Sequence, residues 1–202
     1  MNKIFTAALF FAAISIPTFS QAQTETSNRE GVYRASHTKW TDLKHTKLKV
    51  NFDFDKEQMN GEEWLTASPY FYPSDSLVLN AKSMLIHEVA LDKGGSKQPL
   101  KYEYQKDILK INLDKTYSRN QEYTIYIKYT ARPNEVKQEG SAAINDAKGL
   151  YFVNAKKQDP EKPVQIWTQG ETESSSAWFP TIDKPNQKTT QEIYMTVPDE
   201  YV

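Results

Sequence analysis

Residues 100–113 read LKYEYQKDILKINL and contain the clearest structural signal in the chain. Leu100, Tyr102 and Tyr104 alternate with charged residues, and a second apolar run begins at Ile108, after the polar residues 105–107. A period of two residues is typical of a strand with one buried face, and polar residues between two such runs favour a hairpin turn. The segment therefore predicts two antiparallel strands.

The same period of two extends outward in both directions. Residues 48–54 and 123–129 alternate in the same way, and Asn60-Gly61 predicts a turn after the first of these runs. Shorter strand candidates occupy 64–67, 76–81, 84–91, 150–153, 164–167 and 192–197, and the polar stretches 134–148 and 154–162 are expected to be loops. Strands at this spacing, with hardly a helical pattern among them, predict an all-β fold: an antiparallel β-sandwich or a curved open sheet.

Composition excludes several classes of function. The 25 Lys and Arg residues nearly balance the 26 Asp and Glu residues, so the chain has no basic surplus with which to bind nucleic acid. It has no cysteine, which excludes disulfides, a thiolate zinc site and a cysteine nucleophile.

The N-terminus has the three parts of a signal peptide. Lys3 is followed by the apolar run 4–16, and Ser20-Gln21-Ala22 has small residues at the two positions that signal peptidase requires. The run is too short to cross a bilayer about 30 Å thick as a helix. We expect a signal peptide at 1–22, a polar leader at 23–42, and a soluble periplasmic or extracellular protein without a membrane span.

Histidine placement argues against a metal site in this chain. The residues 87–91, beginning His87-Glu88, start like the zinc motif His-Glu-x-x-His, but Leu91 stands where the second histidine belongs. The other two histidines, His37 and His45, are isolated and are expected on the surface. The sequence therefore predicts no catalytic residue and no metal ligand here.

The segment 164–188, VQIWTQGETESSSAWFPTIDKPNQK, is the best candidate for a binding site. A strand end leads into a short polar loop that holds Gln169 and Glu171, and aromatic residues and a turn follow. A primary ammonium has three donors, which a carboxylate and a neighbouring amide oxygen can accept. The other interpretation is an ordinary exposed loop after a strand.

This segment resembles the aminopeptidase N family of zinc exopeptidases, which includes leukotriene A4 hydrolase. The resemblance is carried by the Thr-Gln-x-Glu element at 168–171, the Phe-Pro-x-x-Asp-x-Pro element at 179–185 and Lys188. Shorter elements agree at 61–62, 77–81 and 149–152, and the order and spacing are similar from about residue 43 to 202. The chain departs from the family at Thr181, usually Cys, and at Lys184, usually Glu, and it lacks the usual Arg before Phe-Pro.

The resemblance implies a saddle-like N-terminal β domain over residues 43–202. It implies that Gln169 and Glu171 bind the free α-amine of a peptide substrate. Zinc, which polarises the scissile carbonyl and activates a water, belongs to a separate catalytic domain whose motifs this chain does not contain. We therefore expect an incomplete N-terminal domain that anchors substrate, has the peptide N-terminus and the catalytic domain as partners, and is inactive by itself.

Two other functions fit parts of the sequence. The first is a non-enzymatic secreted β module that binds peptides or a partner protein. The second is a carbohydrate-binding sandwich, for which only the abundant Trp and Tyr argue. A reading frame that continues into His-Glu-x-x-His would favour the enzyme.

Overall fold

The computed structural model describes residues 35–137 and 147–201. Those residues form eleven strands and two short 3₁₀ helices, at Pro133–Glu135 and Ser175–Ala177, and contain no α-helix. The all-β prediction is therefore confirmed. The predicted signal peptide 1–22 and the leader up to residue 34 lie outside the described residues.

The strands group into two sheets and a hairpin. Their bounds are β1 (Thr41–Asp53), β2 (Gln58–Pro69), β3 (Ser74–Asn80), β4 (Met84–Lys93), β5 (Ser96–Pro99), β6 (Tyr102–Gln105), β7 (Ile108–Tyr117), β8 (Tyr123–Ala131), β9 (Leu150–Val153), β10 (Gln165–Thr168) and β11 (Thr190–Thr196). One sheet has the order β11-β1-β2-β8-β4-β5, a second has the order β3-β7-β6, and β9 pairs with β10. All pairs are antiparallel except β1 and β11, which run parallel.

Most of these strands contribute one face to a single apolar core. Side chains alternate between buried and accessible along β2 and β7, as a strand with one solvated face requires. Leu65, Ile111 and Ile127 are completely buried and belong to one cluster that both sheets contribute to. Phe179, from the candidate site segment, belongs to the same cluster. The site segment is thus attached to the core.

The predicted hairpin at 100–113 is confirmed. β6 and β7 pair from Gln105 opposite Ile108, and the two residues between them, Lys106 and Asp107, have φ values of 49° and 63°. Positive φ at both central residues is typical of the tight type I′ turn that joins two antiparallel strands.

The prediction of a turn at Asn60-Gly61 is wrong. Both residues lie within β2, opposite Asn51 and Val50, and the turn between β1 and β2 instead occupies 54–57. Gly61 allows the ring of Tyr129 to pack directly against the backbone of this strand, because a Cβ at this position would lie 2.3 Å from Cζ of Tyr129. A glycine inside a strand often marks such a close approach, and sequence alone does not distinguish it from a turn glycine.

The first strand begins slightly earlier than the sequence predicts. β1 begins at Thr41, so the last two residues of the predicted leader 23–42 are paired in the large sheet. No helix among the described residues is long and apolar enough to cross a membrane.

Candidate functional site

The hairpin of β9 and β10 holds the start of the polar loop. Thr168 pairs with Leu150, and the amide of Gln169 donates to the carbonyl of Gly149 at 2.9 Å, which extends the pairing by one residue. Trp167 of β10 stacks on Tyr151 of β9 with ring centroids 4.4 Å apart. The backbone at Gln169 is therefore held by a strand partner.

The loop that contains Glu171 is a compact turn. The amide of Ser174 donates to the carbonyl of Gly170 at 3.0 Å, and the Ser174 hydroxyl donates to the carbonyl of Glu171 at 3.2 Å. The amide of Glu171 donates to Oε1 of Gln169 at 3.4 Å, and the peptide bond from Glu171 to Thr172 is cis. The structure thus brings the two predicted site residues, Gln169 and Glu171, together in one turn.

Gly149 lets this turn lie directly against β9. Its φ is +71°, and a Cβ at this position would be 2.1 Å from the carbonyl oxygen of Ser174 and 2.8 Å from Cβ of Ala177. Only glycine accepts both that backbone conformation and that proximity. The Gly-Leu-Tyr element of the resemblance is therefore part of the support for the loop.

The Leu-x-Leu-Asn-Ala strand and the Asp-x-Pro turn support the loop from its other side. Asn80 and Thr181 exchange two backbone hydrogen bonds, of 2.7 and 2.9 Å. The amide of Asp183 donates to Oδ1 of Asn80 at 3.2 Å, and Oδ2 of Asp183 accepts from the amide of Ser176 at 2.8 Å. The amide of Lys82 donates to the carbonyl of Ser176 at 2.7 Å. Residues far apart in sequence thus fix the 3₁₀ helix that follows the loop.

Lys184, the departure from the family pattern, forms an ion pair within the site segment. Its Nζ lies 2.7 and 2.8 Å from the two carboxylate oxygens of Glu173. The carbonyl of Glu173 accepts from Nζ of Lys82, and partial burial lowers the pKa of that lysine. The positive charge of Lys184 therefore compensates the carboxylate of Glu173.

The carboxylate of Glu171 is placed differently from that of Glu173. It is exposed, and no basic side chain of the described residues lies within ion-pair distance of it. Gln169 is partly buried, and its Oε1 accepts from the backbone amide of Glu171. The turn therefore presents one uncompensated carboxylate next to an amide, which is an acceptor set suited to an ammonium ion.

The histidines do not form a metal site. His87 lies on β4, is exposed, and has its Nε2 2.9 Å from the hydroxyl of Thr130. His45 lies 2.8 Å from the hydroxyl of Thr190, and His37 is exposed. Within residues 35–137 and 147–201, no three His, Cys, Asp or Glu residues are grouped so as to hold a metal ion. These residues do not fit a zinc centre, so no metal-dependent step is assigned to them.

Sequence reasoning missed the residues that support the loop. Asn80, Gly149 and Asp183 lie in elements that carry the resemblance, so their place in those elements was the available signal. The pairing of Lys184 with Glu173 gave no such signal, because the two residues are eleven positions apart in a loop without regular period.

Comparison with known proteins identifies the family of this domain. A sequence profile of the Peptidase M1 N-terminal domain matches residues 42–202. The fold is similar to that of a two-domain M1 zinc metallopeptidase solved with L-arginine, with a TM-score of 0.66 and 15% identity over 83% of this chain and 35% of that chain.

Two further solved structures are similar. An M1 zinc metallopeptidase from Deinococcus radiodurans, solved with a Tyr-Ser-Ala substrate, has a TM-score of 0.59 and 14% identity over 82% of this chain and 34% of that one. Leukotriene A4 hydrolase from Saccharomyces cerevisiae has a TM-score of 0.57 and 22% identity over 85% of this chain and 26% of that one. The chain thus spans about a third of the length of the metallopeptidases that it matches.

Proposed function

Because the chain belongs to the M1 peptidase family, through an N-terminal domain at residues 42–202, we propose that it anchors the free α-amine of peptide substrates in a zinc aminopeptidase. Gln169 and Glu171 are the residues that bind this amine. The catalytic zinc is supplied by a separate domain, and the residues of this chain bind and orient the substrate.

The observation that carries the proposal is the single uncompensated carboxylate in a rigid turn. Glu171 is exposed while the neighbouring Glu173 is paired with Lys184, so an incoming cation meets one free negative charge. Hydrogen bonds between two charged groups are about twice as strong as neutral ones. A turn already fixed by hydrogen bonds loses little conformational freedom when it binds a ligand.

Anchoring the amine explains removal of residues from the N-terminus. When the ammonium is held in one place, only the first peptide bond reaches the reacting centre, and this positioning lowers the entropy cost of reaction. An internal segment of a polypeptide has no such ammonium and is not positioned in this way. The Tyr-Ser-Ala substrate of the Deinococcus radiodurans metallopeptidase supports peptides as the substrate class.

We also propose that the protein is exported. The pattern of Lys3, the apolar run 4–16 and Ser20-Gln21-Ala22 supports cleavage after Ala22. N-terminal sequencing of protein collected outside the cytoplasm should start at Gln23 or within a residue or two of it. Recovery of the chain with Met1 intact from that fraction would contradict export by cleavage.

The amine site is tested in the zinc-loaded peptidase that contains this domain together with a catalytic domain. Glu171→Gln keeps the shape of the side chain and removes its charge, so kcat/KM for free-amine peptides should fall about 30-fold or more, equivalent to ~2 kcal/mol. Gln169→Ala removes a neutral partner and should have a smaller effect. Glu161→Gln is the matched control, because it removes the same charge from another exposed loop.

N-acetylated peptides provide the second control. They should be poor substrates of the unchanged enzyme, and Glu171→Gln should alter their turnover little because they carry no ammonium. If Glu171→Gln retains full kcat/KM on free-amine peptides, the assignment of the site is wrong.

The alternative, a peptide-binding β module without catalysis, predicts a different result for the chain itself. In calorimetric titrations such a module would bind free and N-acetylated peptides equally well, and Glu171→Gln would not affect binding. The proposed function requires weaker binding of the acetylated peptide.

A further inference from the structure

We infer that Lys184 is a positioning residue of the amine site: by pairing with Glu173 it holds the turn of residues 170–174 and leaves Glu171 as the one carboxylate free to bind the substrate's ammonium. The inference rests on the proposed function and assigns a role to a residue at which the chain departs from its family. Three features of the pair support this role.

The first feature is the backbone conformation of Glu173. Its φ is +61°, a left-handed conformation that is unfavourable for residues other than glycine. Such a conformation persists when surrounding contacts determine it. Glu173 is held at both its carboxylate, by Lys184, and its carbonyl, by Lys82.

The second feature is that the backbone of Lys184 is itself fixed by hydrogen bonds. The amide of Lys184 donates to the carbonyl of Ile182 at 2.9 Å, and its carbonyl accepts from the amide of Gln187 at 3.1 Å. The preceding residue, Asp183, is bonded to Asn80 of β3 and to Ser176. Lys184 therefore extends from a turn that is itself attached to a sheet.

The third feature is charge. Glu171 and Glu173 are two residues apart in a turn that the hydrogen bond from Ser174 to Gly170 closes. Without Lys184 the carboxylate of Glu173 would lose its ion pair, and an ammonium could then bind at Glu173 as well as at Glu171. With the pair formed, both oxygens of Glu173 are occupied, at 2.7 and 2.8 Å, and the free charge is that of Glu171.

The pair is too accessible to act mainly through stability. The side chains of Lys184 and Glu173 are 25% and 42% exposed, and ion pairs that solvent reaches typically stabilise a fold very little. A role in positioning therefore predicts a change in substrate binding that is larger than the change in stability.

The test uses the zinc-loaded peptidase with Lys184→Met, Lys184→Arg and Glu173→Gln. Lys184→Met should raise KM for free-amine peptides about fivefold with little change in kcat or melting temperature. Glu173→Gln removes the other partner of the same ion pair. The unpaired ammonium of Lys184 should then repel the substrate's ammonium, so KM should also be higher than in the unchanged enzyme. Lys184→Arg should restore the wild-type KM, because guanidinium also pairs with a carboxylate.

Lys162→Met is the matched control. It breaks an exposed ion pair of Lys162 with Asp159, 3.2 Å long, on another loop, and should leave KM unchanged.

A double-mutant cycle separates this inference from the proposed function. If Lys184 acts through Glu171, Lys184→Met should have no further effect on KM once Glu171→Gln is present. Additive effects would show an independent structural role and would overturn the inference, as would an unchanged KM in Lys184→Met. If Glu171→Gln alone has no effect, the amine site itself is wrong, whatever Lys184 does.

Discussion

Different interactions hold the core between the sheets and the site segment 164–188. In the core the completely buried residues are large and apolar, such as Leu65, Ile111 and Ile127. In the site segment Ser174 and Ser176 are completely buried, and hydrogen bonds to individual backbone atoms hold the chain.

The difference determines what each region tolerates. Apolar burial is non-directional, so a core accepts exchanges that preserve volume at a cost of less than about 1.5 kcal/mol. A hydrogen bond requires a particular atom at a particular place, and a buried group left without a partner costs about 1–3 kcal/mol. The sheets are thus expected to vary in side-chain identity, whereas the site segment depends on a few atoms.

The largest loss of stability is expected at Gly149, where the core and the site segment meet. Gly149→Val would combine an unfavourable φ with the contact to the carbonyl of Ser174, and we expect it to reduce stability by about 3 kcal/mol or more. Chemical denaturation measures the loss. Gly94→Val is the control, because Gly94 has a similar φ of +68° with no atom within 4 Å of the added Cβ.

If Gly94→Val and Gly149→Val destabilise equally, the strained conformation alone accounts for the loss. The close approach of β9 to the loop would then contribute nothing to stability, and the site segment would not depend on exact atomic positions more than the core does.

The core also contains buried polar groups that have no hydrogen-bond partner among the described residues. Glu63 of β2 is completely buried opposite Leu48 and Ile127, and neither carboxylate oxygen has a hydrogen-bond partner among the described residues. The hydroxyls of Thr46 and Tyr129 are also buried without partners there. Burial raises the pKa of Glu63 well above its usual value, so the acid is held in its neutral form.

Glu63 makes the stability of the sheets dependent on pH. The unfolded chain releases the proton of this residue above pH ~4.3, while the folded protein retains it, so stability falls as pH rises by ~1.4 kcal/mol per unit until the folded pKa is reached. Glu63→Gln should remove that part of the pH dependence. Denaturation at a series of pH values measures the difference between the two proteins.

Glu103→Gln is the control for this experiment, because it replaces an exposed glutamate of β6. Glu103→Gln should leave the slope of stability against pH the same as in the unchanged protein. A difference between Glu63→Gln and the unchanged protein that stays constant with pH would show that Glu63 is ionised in the fold.

A smaller effect is expected at Asp183. Asp183→Ala removes the acceptor of the Ser176 amide, and should reduce stability by about 1–3 kcal/mol and loosen the turn beside it. Hydrogen exchange should become faster at Ser176 but not in β7. Asp75→Ala, which removes an exposed carboxylate on β3, should change neither quantity.

The smallest effect is expected from ion pairs on the surface of the sheets. Lys93 of β4 lies 3.3 Å from Asp114 of β7, and Lys93→Met should reduce stability by less than about 1 kcal/mol. Thermal melting measures the change. A loss as large as that at Asp183 would mean that directional contacts matter as much in the sheets as in the site segment.

Sequence patterns predicted the strands and the site loop because both depend on local information. The alternation at 100–113 and 123–129 identifies which face of each strand is apolar, and both segments form strands. The pair Gln169 and Glu171 could be selected because a polar loop between a strand end and an aromatic run is itself a local pattern. That they bind an amine remains a prediction.

Pairing between distant parts of the chain was decided only by the tertiary structure. Alternation identifies a buried face but does not identify the neighbouring strand, so the parallel contact of β1 with β11 could not be read from it. Gly61 resembles a turn residue until the ring of Tyr129 is seen to lie against it. Lys184 and Glu173 are brought together by a turn that Asn80 of β3 holds in place. Local period is set by backbone geometry within a few residues, whereas these contacts exist only after the sheets have assembled.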